Sequence, residues 1–207
     1  MSKLLSHTAG LVILWLCIPI SRCWCRYFCD PKQFAVAGKS TSHAIAYILH
    51  IILESLDKGG CLARLFFADF RKGFDLIDHQ ILLHKLAQFD LHNCLLQWIA
   101  CCLQGRSQFV TISSATSSPM GLNGGIPQGT KIGPLLFPVM VNDLVSSWSS
   151  RAKFVDDLTV VEIVPRNSPL VLNFIVQDIN QYAVTNNIMT LNPSKCKEMS
   201  VEFLEYN

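Results

Sequence analysis

The sequence has little charge and no strong excess of either sign. Asp, Glu, Lys and Arg make up 15% of the residues, and half of the chain is hydrophobic, which excludes an intrinsically disordered protein. The net charge of +2 is unevenly spread: residues 1–60 carry six Lys/Arg against three Asp/Glu, and residues 61–207 carry eleven against twelve. A protein that holds nucleic acid normally supplies a basic groove that releases counterions from phosphates. Such a groove is weak here, and the expectation is that the basic parts lie outside the chain. The apolar run from Leu11 to Ile20 is shorter than the roughly 20 residues that span a bilayer. With Lys3 before it and Ser21-Arg22-Cys23 after it, the run is either signal-like or a foreign N-terminus, so residues 1–30 are set apart from the rest.

Two further frameworks are missing. The nine cysteines are odd in number and scattered, and they include the adjacent pair Cys101 and Cys102. That is no disulfide scaffold, and reduced, mostly buried thiols are expected. Cys23, Cys25 and Cys29 cluster loosely but lack a second pair at zinc-ligand spacing. Gly38-Lys39-Ser40 suggests a phosphate loop, but Gln33 stands where that loop requires glycine, and the motif fails.

The hydrophobic pattern that remains orders itself as α+β. Residues 43–56 place Ile45, Ile48, Leu49, Ile52 and Leu56 on one helical face, ended by Lys58-Gly59-Gly60. Residues 62–68 form a short apolar run fit for a buried strand. Asp78 can cap a helix carrying Leu82, Leu83 and Leu86, and a second helix is expected from Asn93 to Leu103, stopped by Gly105. Ser107 to Ile112 alternates as a strand, and 113–125 is a hairpin or loop. Gly129 to Gly133 opens a hydrophobic helix through about Val145, with Pro134 in its first turn and Pro138 bending it. Lys153–Val155 and Leu158–Val164 form a hairpin around Asp156-Asp157, followed by a helix over about Val171–Asn186 and a short strand near Met199–Phe203. The expected fold is an antiparallel sheet packed on helices.

Three carboxylates stand at strand ends: Asp69 after an apolar strand, and Asp156 with Asp157 at a hairpin tip. Carboxylates in apolar surroundings are costly unless compensated, and Mg²⁺ compensates them well, because it prefers oxygen and needs only one or two carboxylates beside substrate phosphates. Taken alone, Asp156-Asp157 reads as an acidic β-turn rather than a metal site.

The pair does not stand alone. The segment Phe66-Phe67-Ala68-Asp69-Phe70-Arg71-Lys72-Gly73-Phe74-Asp75 resembles the first catalytic motif of non-LTR (LINE-type) retrotransposon reverse transcriptases. Gly125-Ile126-Pro127-Gln128-Gly129-Thr130-Lys131-Ile132-Gly133-Pro134-Leu135-Leu136-Phe137 resembles their next motif, and Lys153-Phe154-Val155-Asp156-Asp157 their two-aspartate motif. Leu191-Asn192-Pro193-Ser194-Lys195-Cys196-Lys197 is similar to the lysine-bearing motif that follows. The likeness covers about residues 31–205, in the family's order and spacing.

The resemblance implies a reverse-transcriptase palm with partial fingers, catalysing RNA-directed DNA synthesis with two Mg²⁺ ions (Mn²⁺ as a substitute) on an RNA template and a DNA primer. Asp69 and Asp156 would be the principal metal ligands, with Asp157 assisting and the Phe70 carbonyl completing the site. Phe74 takes the position of the steric gate against a ribose 2′-hydroxyl, so deoxynucleoside triphosphates are the expected substrates. Gln128 and Gly129 would line the nucleotide and template. Lys195 is a candidate general acid for pyrophosphate, and otherwise a solvated charge. Arg71 and Lys72 face triphosphate or primer backbone, or simply solvent. The resemblance also implies an intracellular protein, in cytoplasm or nucleus. Gly73 where many relatives have Ala is a mild departure; Pro138 is a larger one. With no thumb or endonuclease segment, residues 31–205 are expected to be a truncated domain, and two readings stay open: a polymerase domain, or a catalytically inactive retrotransposon-derived fragment.

Overall fold

The computed structural model describes residues 30–202, apart from 37, 72, 90, 131 and 187–189. Helix α1 (Thr41–Asp57) leads into strand β1 (Cys61–Ala68), which continues as β2 (Phe70–Arg71) after a break at Asp69. Helices α2 (His79–Ala87) and α3 (Asn93–Leu103) follow. Short strands β3 (Arg106–Gln108), β4 (Thr111–Ile112), β5 (Ala115–Thr116) and β6 (Met120–Leu122) form an antiparallel excursion in which β3 pairs with β6 and β4 with β5. Helix α4 (Gly133–Met140), strands β7 (Arg151–Phe154) and β8 (Asp157–Pro165), helix α5 (Leu172–Thr185), and strands β9 (Thr190–Leu191) and β10 (Lys197–Val201) complete the chain.

The central sheet has the order β10-β1-β8-β7, antiparallel throughout. Side chains alternate across it. Ala63, Leu65 and Val161 pack beneath Ile52 and Leu56 of α1, while Ala68, Leu158 and Val160 join Leu82, Leu86, Leu136, Phe137, Met140 and Ile179 on the opposite face. Both faces of β1 are covered, which is why its sequence is nearly continuously apolar rather than alternating. The one charged side chain within it, Arg64, is cross-strand to Glu162 and pairs with it at 3.2 Å. Free edge groups of β7 are taken by the segment before α1, where Lys153 donates to Lys32 O at 2.9 Å and Phe34 donates to Lys153 O at 2.8 Å.

Local signals act as their chemistry requires. Asp78 caps α2 by accepting from the N–H groups of Gln80 and Ile81. Ser40 caps α1 through His43 N–H, and Lys39 Nζ donates to Pro31 O and Gln33 O. Gly38-Lys39-Ser40 is thus a structural entry to a helix.

Several expectations need correction. On α1, Ile45 and Leu49 are 58% and 50% exposed, and the buried stripe runs instead through Ala44, Ile48, Ile52 and Leu56. The helix lies on the sheet with one side only, so an i, i+4 row suffices to cover it. Helix α4 ends at Met140 rather than near Val145. Pro138 leaves only the Pro134 carbonyl without its helical partner; past Met140, residues 141–147 turn, with Val145 at φ 51°. The expected strand Ser107–Ile112 is split into β3 and β4. The last strand lies at Lys197–Val201, earlier than expected, and β9 was not foreseen. The thiols are not mostly buried among the described residues: Cys94, Cys101 and Cys102 are exposed on α3, and Cys61 and Cys196 are half-buried. The cluster Cys23, Cys25 and Cys29 and the run Leu11–Ile20 lie outside the described residues, among which no helix is long and apolar enough to cross a membrane.

Candidate active site

The site forms where β1 ends. Strand β1 pairs with β8 with Ala68 opposite Leu158, so the next step of the same register sets Asp69 against Asp157. Strands β7 and β8 meet in a tight hairpin whose last pair is Phe154 and Asp157, leaving Val155 and Asp156 as the turn. Val155 sits at φ 56°. A left-handed backbone at a β-branched residue costs about 1–2 kcal/mol, and strain of this kind concentrates at functional sites. Asp156 and Asp157 are exposed at the tip, and the Asp69 side chain is about one-third exposed.

These carboxylates feel one another. The Asp157 pKa is raised above the usual carboxylate value, first by partial desolvation and then by the charges of Asp156 and Asp69. Mutually repelling carboxylate oxygens are the chemistry that a hard divalent cation neutralises, so the donors suit Mg²⁺ in kind. Among the described residues, no three such side chains are drawn together at ligating distance. Lys195 Nζ lies 3.9 Å from Asp69 Oδ1.

Asp69 is also where β1 changes partner. Upstream, Phe67 pairs with Lys197 of β10; downstream, Phe70 pairs with Leu191 of β9. Residues 192–196 must therefore bulge over Asp69. Asn192 N–H donates to Asp69 O at 2.8 Å, Asn192 Nδ2 donates to Asp69 Oδ2 at 3.1 Å, and Asp69 N–H donates to Cys196 Sγ at 3.5 Å. Asn192 and Cys196 were not recognised from sequence as contacts of Asp69. Their signal is a turn-forming Asn-Pro within the lysine-bearing segment, which says nothing of what the turn covers.

A second group lies around the loop before α4. Phe74, Pro127, Gln128, Gly129, Thr130, Gly133 and Pro134 line a cavity of about 490 Å³. The half-buried Phe74 ring stacks on fully buried Phe137, with centroids 4.6 Å apart and planes at 23°. Gln128 Nε2 donates to Asp75 Oδ1 at 3.0 Å. The two loops are tied at the backbone: Ile126 N–H donates to Phe74 O at 2.7 Å and Gly125 N–H to Ile77 O at 2.8 Å. Gly129 adopts φ 74°, which opens the turn toward the cavity.

The site residues expected from sequence thus fall into two groups. Asp69, Phe70, Asp156, Asp157 and Lys195 surround the sheet end, and Phe74, Gln128 and Gly129 line the cavity. Arg71 is exposed on β2, its Nε 3.5 Å from Asn192 Oδ1; Lys72 lies outside the described residues. Four other cations are committed to ion pairs: Arg64 to Glu162 and Glu198, Lys85 to Asp143, and both Arg151 and Lys153 to Asp30.

An antiparallel sheet with helices on both faces, a strained aspartate hairpin beside a strand-end aspartate, and a cavity lined by Phe74 and the 127–134 loop are arranged as in a polymerase-type palm fold. Residues 25–207 match the family model for reverse transcriptase (RNA-dependent DNA polymerase), and the chain belongs to that family. It is 24% identical over 146 residues to the retrovirus-related Pol polyprotein from type-1 retrotransposable element R2 of Popillia japonica, covering 64% of this chain and 23% of that protein. It is 32% identical over 108 residues to the RNA-directed DNA polymerase from mobile element jockey of Drosophila funebris, covering 50% of this chain and 11% of that one. The chain therefore spans less than a quarter of the length of these relatives.

The fold is similar to telomerase from Candida tropicalis, solved with a TWJ fragment of telomeric RNA, with a TM-score of 0.71 at 13% identity over 94% of this chain and 34% of that one. Telomerase from Candida albicans gives 0.63 at 14% identity, over 88% of this chain and 33% of that one. At such identities the likeness is one of fold.

Proposed function

We propose that this chain is an RNA-directed DNA polymerase domain of a retrotransposon, adding deoxynucleotides to a primer 3′-hydroxyl on an RNA template. The observation that carries this reading is the meeting of Asp69 with the Asp156–Asp157 hairpin at one sheet end, set by the Ala68–Leu158 and Phe154–Asp157 pairings, with the Asp157 pKa raised first by partial burial and then by the other two charges. Asp69 and Asp156, assisted by Asp157 and the Phe70 carbonyl, would hold Mg²⁺, which supplies activation of the attacking hydroxyl and neutralisation of the leaving pyrophosphate. Phe74, which lines the cavity, excludes a ribose 2′-hydroxyl. Gln128 and Gly129 position the base and sugar of the incoming nucleotide. Lys195, exposed beside Asp69, donates a proton to the leaving pyrophosphate, and Arg71 with Lys72 contacts phosphate oxygens.

Primer extension on an RNA template by the purified full chain tests this directly, with Mg²⁺, deoxynucleotides and an Asp156→Ala/Asp157→Ala control. Extension that vanishes in the control supports the polymerase. No extension from a folded, soluble protein makes the chain a catalytic remnant of its family.

A further inference from the structure

We propose that Asn192 is the positioning residue of the metal site, fixing the Asp69 carboxylate so that Oδ1 is the oxygen left for a cation. The assignment rests on the polymerase reading above and adds to it a residue that touches no substrate. It follows from the register around Asp69. Between the pairs Phe67–Lys197 and Phe70–Leu191, one side of the ladder has two residues and the other has the five residues 192–196. The surplus closes into a turn on Asn192, whose carbonyl accepts from Lys195 N–H at 3.0 Å and Cys196 N–H at 2.9 Å. Pro193, at the first central position, has a fixed φ and no N–H to satisfy.

The turn aims Asn192 in a single direction. Its Oδ1 accepts from Ser194 Oγ at 2.8 Å and faces Arg71 Nε at 3.5 Å. With the oxygen so engaged, the amide nitrogen is the end that meets Asp69 Oδ2, at 3.1 Å. The backbone of Asp69 is held by the same turn, its carbonyl by Asn192 N–H at 2.8 Å and its N–H by Cys196 Sγ at 3.5 Å. Main chain and one carboxylate oxygen are thereby fixed, and the other oxygen, Oδ1, faces Lys195 at 3.9 Å. A donor that fixes a ligating carboxylate from behind removes rotamer entropy before the ion arrives.

The test reads metal binding independently of catalysis. Mn²⁺ is titrated into the full chain, free ion is followed by electron paramagnetic resonance, and Asp69→Asn serves as the site control. Asn192→Leu keeps the volume and removes the donor; loss of such a partner weakens metal affinity by about 10–100-fold. The deoxynucleotide KM at saturating Mn²⁺ is expected to stay near wild type, which a general loosening of the fold would not allow. Ser194→Ala frees the carboxamide to turn, is conservative enough to fold if Asn192→Leu does not, and is expected to weaken Mn²⁺ several-fold. Unchanged Mn²⁺ affinity in a folded Asn192→Leu protein, or in Ser194→Ala where only that variant folds, overturns the assignment and leaves the polymerase reading standing. Wild-type protein showing no Mn²⁺ binding that Asp69→Asn abolishes overturns both.

Discussion

Asp30 and Lys153, far apart in the chain, form an ion pair of 2.7 Å in which both side chains are almost wholly buried. Arg151 joins it, donating to both Asp30 oxygens at 2.8 and 2.9 Å, and Lys153 Nζ also donates to the carbonyls of Val141 and Asn142. The cluster joins the segment before α1, the end of α4 and β7, the strand that leads directly into the aspartate hairpin. Replacing Asp30 by Asn strands two buried cations, and breaking a buried pair in this way costs about 3–5 kcal/mol. Chemical denaturation of Asp30→Asn reads the loss; a change below about 1 kcal/mol, the range of a surface pair, would show that the cluster is solvated in solution.

The same cluster predicts an unusual alkaline limb. Burial is the largest influence on Lys153 and, against the opposing pull of Asp30, brings its pKa down from 10.5 to about 8. In the unfolded chain the amine titrates at its ordinary value, so between pH 8 and 10.5 the unfolded state holds more protons than the folded one, and stability rises with pH. Below pH 8 the amine is charged in both states and this contribution is flat. Asp30 titrates the other way: burial, the largest single influence, pushes its carboxyl up, but the hydrogen bonds of Arg151, Lys153 and Lys32 N–H and the Lys153 charge together outweigh it and hold it below 3.8, so its contribution is lost only as pH falls through that lowered value. Lys153→Met leaves Asp30 paired with Arg151 and removes the alkaline term. The stability of wild type relative to Lys153→Met should climb from pH 8 toward 10, and parallel curves would refute the assignment.

Two glycines near the cavity separate backbone strain from steric clash. Gly125 has φ 82°, and a Cβ there would lie 2.9 Å from Asp75 O, a backbone atom that cannot move aside. Gly129 has φ 74° with nothing within 4 Å of that position. Gly129→Ala therefore bears only the left-handed penalty of about 1–2 kcal/mol. Gly125→Ala bears that penalty plus displacement of the 73–78 loop, and its loss should exceed that of Gly129→Ala by at least about 1 kcal/mol. Equal melting temperatures for the two variants would mean that the loop yields freely.

The legible part of this protein is what short-range pattern can carry. Ordered motifs placed Asp69, Asp156 and Asp157 at strand ends, and β1 and β8 deliver them to one place because each strand's apolar residues demand two covered faces. Asp78 acted as the cap its position implied. The rest depends on contacts between distant segments. Asp30 was indistinguishable from a surface acid until β7 brought Arg151 and Lys153 to it, and neither cation signals burial in a segment as short as 151–154. Asn192 was visible only as a turn former, since the register shift that sets it on Asp69 arises from two separate strand pairings. Ile45 and Leu49 were misassigned because helical periodicity finds an apolar stripe but not how much of it a flat sheet will cover.

The gate proposed for Phe74 gives the sharpest functional prediction, because its structural support is visible. Phe74 is held on its inner face by Phe137, stacked at 4.6 Å and itself completely buried, so the ring cannot retreat from a ribose hydroxyl without displacing core. Phe74→Val shortens the side chain and opens the cavity, and the preference for deoxy- over ribonucleotides should fall by about tenfold or more, equivalent to at least about 1.4 kcal/mol of lost discrimination. Phe137→Leu leaves the Phe74 ring in place but removes its flat support. It should give a smaller loss of discrimination together with a stability loss short of the about 3–5 kcal/mol expected for Phe→Ala. Competition between labelled deoxy- and ribonucleotides in single-nucleotide extension measures both. If Phe74→Val discriminates as wild type does while still extending primers, then Phe74 is a core residue that happens to border the cavity, and the exclusion of ribonucleotides must come from the 127–130 loop instead.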